Sequence, residues 1–219
     1  MHAYFARITR PDVRPFAMQI RALFVITFLL LFVAPPKVLA QDLSGIDSAL
    51  LPLPHSLQAE ASILARNPQG SFEVLKDGSN NYFCLKDQPD DDRFSVECHP
   101  QAMRAYQERK SVLVQRQDRA SRDSLLAQEL KSKTLHIPNG ALSYFLSGNI
   151  NKNSGVPDSV WAWSEIAVPF TGPAASGLPT ENMGEAPWLM NANDYDAHIM
   201  VDYAFVPWKR IIHSDKDLH

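Results

Sequence analysis
Two cysteines, and only two, stand in the middle of the chain, each inside a short apolar run. Cys84 lies in Tyr82-Phe83-Cys84-Leu85, and Cys98 closes Phe94-Ser95-Val96-Glu97-Cys98. Bridged, they close a loop of about 15 residues, worth on the order of 3 kcal/mol through restriction of the unfolded chain. The alternative is two buried free thiols. An export signal, described below, favours the bridge.

The segment around them reads as three strands. Phe72 and Val74 alternate with polar residues, as a half-buried strand requires. Lys76-Asp77-Gly78-Ser79 makes a turn, because Gly tolerates positive φ and Asp can bond its own backbone. Asn80 to Leu85 reads as the returning strand. Asp87 to Arg93 is a polar loop carrying Pro89, Asp90, Asp91 and Asp92. Phe94, Val96 and Cys98 then share one face of a third strand, since side chains two apart point the same way.

On either side the pattern predicts helices. Ser56 can cap a helix over 56–66, with Leu57, Ala61 and Leu64 spaced by four and three and Asn67-Pro68-Gln69-Gly70 as the stop. No Gly or Pro interrupts the chain between Pro100 and Pro138. Apolar residues at Met103, Tyr106, Leu113 and Val114, a polar stretch over 115–124, and Leu125, Leu126 and Leu130 predict two helices meeting near Asp118 to Ser121. This region carries eight basic and four acidic residues. It reads as a solvated face with local pairs such as Asp118 with Arg122, rather than as a surface for an anionic polymer. Further strands are predicted over 141–146, 160–170, 188–190 and 196–205. In the last, Ala197, Ile199, Val201 and Tyr203 share one face, and Asp196, His198, Met200 and Asp202 the other. Strands and helices do not alternate as a parallel α/β sheet would require. The expected fold is α+β: a mostly antiparallel sheet, helices packed on one side, one disulfide.

Residues 1–40 have the anatomy of a secretory signal peptide. Arg7, Arg10, Arg14 and Arg21 precede an unbroken apolar run from Ala22 to Val33, and small residues end at Ala40. The run is about 12 residues, short of the ~20 needed to span a bilayer. Gln41 rather than cysteine follows, so a bacterial lipid anchor is not indicated, and Arg10 and Arg14 do not form a twin-arginine pair. Removing the leader leaves 16 basic against 23 acidic residues, a net charge of −7. That disfavours a nucleic-acid partner. The expected organisation is a signal peptide over 1–40, one α+β domain over 41–206, and a polar tail over 207–219 that frays. Location is expected to be periplasmic or extracellular, with no transmembrane segment after cleavage.

Asn80-Asn81-Tyr82-Phe83-Cys84-Leu85, Phe94-Ser95-Val96-Glu97-Cys98-His99, and Pro187-Trp188-Leu189-Met190 followed by Ala197-His198-Ile199-Met200-Val201 together carry a resemblance. The chain resembles a group of uncharacterised exported bacterial proteins with this Cys-to-Cys segment and this ending, over roughly 49–206. The resemblance implies a bacterial source and a single exported domain. It assigns no activity.

No Gly-x-Ser-x-Gly elbow, His-Glu-x-x-His, phosphate-cradling Gly loop or Cys-x-x-Cys is present. Asp194, Asp196, His198 and Asp202 form the best polar constellation. Asp196 and His198, two apart on a strand, can face one cleft and orient a general base. The competing reading is a polar strand face with a hydrogen-bonding histidine. His99 can join a site beside Cys98 or simply begin the following helix. Asp90, Asp91 and Asp92 lack the alternate spacing and turn Gly of a calcium loop, so no metal site is expected. Trp161, Trp163 and Trp188 can line an apolar or sugar-binding pocket or pack in the core. The leading expectation is an exported, non-enzymatic protein that binds a small ligand or a cell-envelope component, without a cofactor. The alternative is an exported hydrolase using His198 with Asp196 or Asp202. Intact mass of the secreted protein checks the leader: the expected mass begins at Gln41, and a mass that includes residues 22–40 means an anchor instead.

Overall fold
The computed structural model describes residues 45–88, 91–184 and 186–213. The expected leader, Asp90 and the end of the tail lie outside these. Eight strands form one sheet: β1 (Ser62–Arg66), β2 (Phe72–Lys76), β3 (Tyr82–Leu85), β4 (Arg93–Pro100), β5 (Leu142–Asn149), β6 (Ser159–Ala167), β7 (Trp188–Met190) and β8 (His198–Pro207). Their spatial order is β2-β1-β3-β4-β5-β6-β8-β7. Every pair is antiparallel except β1 with β3. The α+β expectation therefore holds.

The centre of the sheet follows from strand periodicity. Phe94, Val96 and Cys98 are buried on one face of β4, as their spacing predicts. Cys84 and Cys98 stand directly opposite each other on β3 and β4. They are bridged, with Cα atoms 4.0 Å apart. Ala49, Leu50 and Leu53, from a 3-10 turn at Ile46–Leu50 and the segment after it, pack over the bridge with Ile63.

The predicted helix over 56–66 is corrected. Only α1 (His55–Gln58) is helical. Residues 62–66 instead form β1, which lies between β2 and β3. Ser62, Ile63 and Leu64 are buried in succession because both faces of this strand are covered. Such a run shows no alternation, and its apolar spacing then mimics a helix. β2 accordingly does not form a hairpin with β3. It is the edge strand, with Val74 and Leu75 exposed. Gly78 in the intervening turn is required by close approach rather than by positive φ. A Cβ there would lie 2.4 Å from the Ala61 backbone.

After Pro100, α2 (Arg104–Arg116) and α3 (Arg119–Lys131) form the expected pair. Gln117 is extended, and the Asp118 side chain accepts the Ser121 N–H at 3.0 Å. Asp118 is thus an N-cap that starts a new helix, not the partner of Arg122. Arg122 pairs instead with Asp123. Tyr106, Leu113, Leu126 and Leu130 knit the two helices to Ala167 and Tyr195.

These long helices lie on one face, as expected. The opposite face is covered by the 3-10 turn, α1 and the C-terminal helix α5 (Trp208–His213), which follows the four-residue α4 (Pro173–Ser176). The expected fraying is therefore corrected for residues 208–213, and the rest of the tail lies outside the described residues. Trp208 is buried and meets Phe94 edge-on at 5.2 Å. Among the described residues no helix is long and apolar enough to cross a membrane.

Alkylation should find no thiol in the oxidised protein and two after reduction. Cys84→Ala should lower the stability of the oxidised form by about 2–4 kcal/mol in denaturant melts.

Candidate functional site
The odd-numbered residues of β4 point away from the disulfide, towards α2. Arg93, Ser95 and Glu97 face Gln107, Lys110, Ser111 and Val114 across a cleft of about 380 Å³. Arg66 of β1 and the loop residues Asp87, Gln88 and Asp91 complete it.

The floor of the cleft is a connected polar network. Arg66 donates to Glu97. On the other side of Glu97, His99 Nε2 lies 3.3 Å from Oε2, without the alignment of a full hydrogen bond. His99 is completely buried. Its Nδ1 shares a 2.8 Å hydrogen bond with Ser143 Oγ on β5 and lies 3.3 Å from Gln107 Nε2. Phe83 and Phe145 flank the imidazole, each with its ring centroid 5.5 Å away. Burial alone would push the Glu97 carboxyl pKa up. The neighbouring His99, then the charges of Arg66 and Lys110, outweigh burial and hold it far below the usual carboxylate range.

Serine, histidine and carboxylate thus stand in series, the order found in nucleophile relays. Access argues against that use. Ser143 is buried and borders a hollow of about 60 Å³, room for water rather than for a substrate.

His198 lines that same small hollow with Asp196, Glu165, Tyr106 and Lys110, not the principal cleft. Its side chain is 14% exposed, with Nε2 buried. Nδ1 bonds the backbone carbonyl of Asp196 at 2.7 Å. The Asp196 carboxylate accepts from Asn191 instead, at 3.1 Å. Burial raises the Asp196 pKa. The acid nearest the ring is Glu165, 3.9 Å from Nε2 and itself held by the Trp163 indole N–H at 2.9 Å. Asp202 pairs with Trp163 across β6 and β8 through its backbone, and its side chain lies outside the described set.

Trp161 and Trp163 stack on one another with centroids 4.6 Å apart, and Phe145 stacks on Trp163 at 4.9 Å. Trp188, on β7, is separated from them by β8. Asp91 accepts the Arg93 backbone N–H, and Asp92 pairs with Lys152. Among the described residues no group of His, Cys, Asp and Glu is placed to hold a metal.

The cleft was missed in the sequence although its signal was there. Glu97 and His99 are two apart on a strand, the same spacing that singled out Asp196 and His198. Arg66, Lys110 and Ser143 carried no such signal, because they come from three other elements. No known protein family, curated protein or solved structure matches this chain.

Glu97 fixes the acid limb of stability. A carboxylate with a depressed native pKa contributes stability above its unfolded value of about 4.3 and loses it as pH falls below that value. Glu97→Gln should cost about 1–3 kcal/mol at neutral pH. It should also flatten the decline in stability below about pH 5 seen in urea melts of the parent protein.

Proposed function
We propose that this is an exported bacterial protein that binds a small ligand in the cleft between α2 and β4, without catalysis. The leader over 1–40 and the Cys84–Cys98 bridge support export, since such bridges persist outside the reducing cytoplasm.

Lys110 carries the reading. It is half-buried on α2, at the junction of the principal cleft and the small hollow. Among the described residues its ammonium makes no hydrogen bond or ion pair. The carboxylates that line the principal cleft with it each have another partner. Glu97 is held by Arg66, Asp87 accepts the Ser95 N–H at 2.8 Å, and Asp91 accepts the Arg93 N–H. An ammonium that lines a cleft without a hydrogen bond or ion pair is open to a ligand that brings the opposite charge. The cleft therefore suits a small molecule with a carboxylate or phosphate, steered by Lys110 with the outer arm of Arg93 in reach of the same space. The hydrolase reading has weaker support, because His198 and Ser143 both sit beside a hollow too small for a substrate.

Native mass spectrometry of the protein purified from the export compartment tests this. The expected result is a small anionic adduct that is absent from Lys110→Met, while the variant melts close to the parent. Retention of the same adduct by Lys110→Met would refute the assignment.

A further inference from the structure
Beyond Arg93 the face that carries the cleft continues into a second hollow, of about 430 Å³, at the other end of the sheet. Its floor is Trp161 on β6 and Phe205 on β8. Polar groups rim it: Arg93, Ser147, Asn149 and Asp158. We propose that this hollow is a saccharide-binding site, in which Trp161 and Phe205 receive the apolar face of a sugar ring and the rim receives its hydroxyls.

The placement of Phe205 is the first support. Strict alternation from His198 would put Phe205 on the opposite face, with Ile199, Val201 and Tyr203. The pairing of β6 with β8 changes register between Trp163, opposite Asp202, and Trp161, opposite Phe205. The extra residue turns Phe205 onto the face of Trp161. The result is an aromatic ring 72% exposed to water. The same shift sets Val206 opposite buried Val160 in the apolar cluster of Phe94 and Trp208, and leaves the Phe205 ring on the hollow.

The second support is that the platform is one-sided and rigid. One face of Trp161 is taken by Trp163, which is backed in turn by Phe145 and then by His99 and Phe83. This ladder backs Trp161 across four strands, and Trp161 in turn lines the hollow. A sugar ring matches such a surface, because its C–H groups form an apolar face and its hydroxyls point to the edge. The rim supplies both donors and acceptors for that edge. Arg93 Nε is fixed by Ser147 Oγ at 2.6 Å, and its outer nitrogens make no other hydrogen bond among the described residues. Asp158 is held by Asn151 through both oxygens at 3.0 Å, with lone pairs remaining to accept. A nucleobase could also stack on Trp161. The net charge of −7 after removal of the leader opposes a polyanion, and the rim pairs one cation with one carboxylate. This site shares Arg93 with the cleft and does not depend on Lys110.

The test is a titration of the full secreted protein with cellotetraose, with chitotetraose and with oligothymidylate, followed by tryptophan fluorescence and calorimetry. At least one of the two oligosaccharides is expected to shift tryptophan emission, with a Kd below about 10 mM, the weak end for a one-ring contact. Trp161→Ala and Phe205→Ala should each weaken that binding at least tenfold. The exposed Phe205 keeps the test valid if Trp161→Ala folds poorly. Lys110→Met should bind the oligosaccharide as the parent does, whatever happens to the cleft ligand. The assignment is overturned if neither oligosaccharide binds, if Phe205→Ala binds as well as the parent, or if only oligothymidylate binds.

Discussion
The cross-strand pairing of Cys84 with Cys98 is the constraint from which the rest of the structure follows. With the two residues opposite one another, the registers of β3 and β4 are fixed. A slip by one residue would exchange the two faces of β4. As it stands, Phe94, Val96 and Cys98 enter the core, while Ser95, Glu97 and His99 face α2. The bridge therefore does more than restrict the unfolded chain. It determines which side chains are available to the cleft.

That separation lets one strand serve two incompatible environments. The disulfide face is apolar and covered by Ala49, Leu50 and Leu53. The other carries an acid and a buried histidine, which are tolerable only because each meets a partner. Arg66 and His99 stabilise the Glu97 carboxylate, and Ser143 and Gln107 satisfy His99 Nδ1. A buried network of this sort is costly where incomplete, as at His99 Nε2, and rigid where satisfied, as at His99 Nδ1. Its rigidity passes into the aromatic ladder, because His99 packs on Phe145 and Phe145 on Trp163. The charged cleft and the aromatic hollow are thus two ends of one braced face.

The two regions solve opposite problems. At Lys110 the protein sets an ammonium in the lining of a cleft, with no hydrogen bond or ion pair among the described residues. At Phe205 it holds an aromatic ring in water without covering it. Each arrangement is matched by a ligand of complementary chemistry. In each case the surrounding groups are already engaged with one another, so the unpaired feature is the one left for a partner.

Local periodicity in the sequence determined much of this protein. The burial of Phe94, Val96 and Cys98, the break between α2 and α3 at Asp118, and the two faces of β8 up to Asp202 all follow from spacings of two, or from a capping residue, within a few positions along the chain. The cysteine pair was legible for the same reason, since both residues sit in strand-like apolar runs. Tertiary structure decided what local spacing cannot encode. Residues 62–66 became a strand because neighbours cover both its faces, which erases alternation. Trp208 anchors the helix over 208–213 by packing on Phe94, more than a hundred positions earlier in the chain. Phe205 was turned to the face of Trp161 by a register shift that only the pairing of β6 with β8 creates. Arg66, Glu97, His99, Lys110 and Ser143 met because four separate elements converge on one face of the sheet. Long-range convergence leaves no periodic trace in any one segment, and that is why the cleft had to be seen in three dimensions.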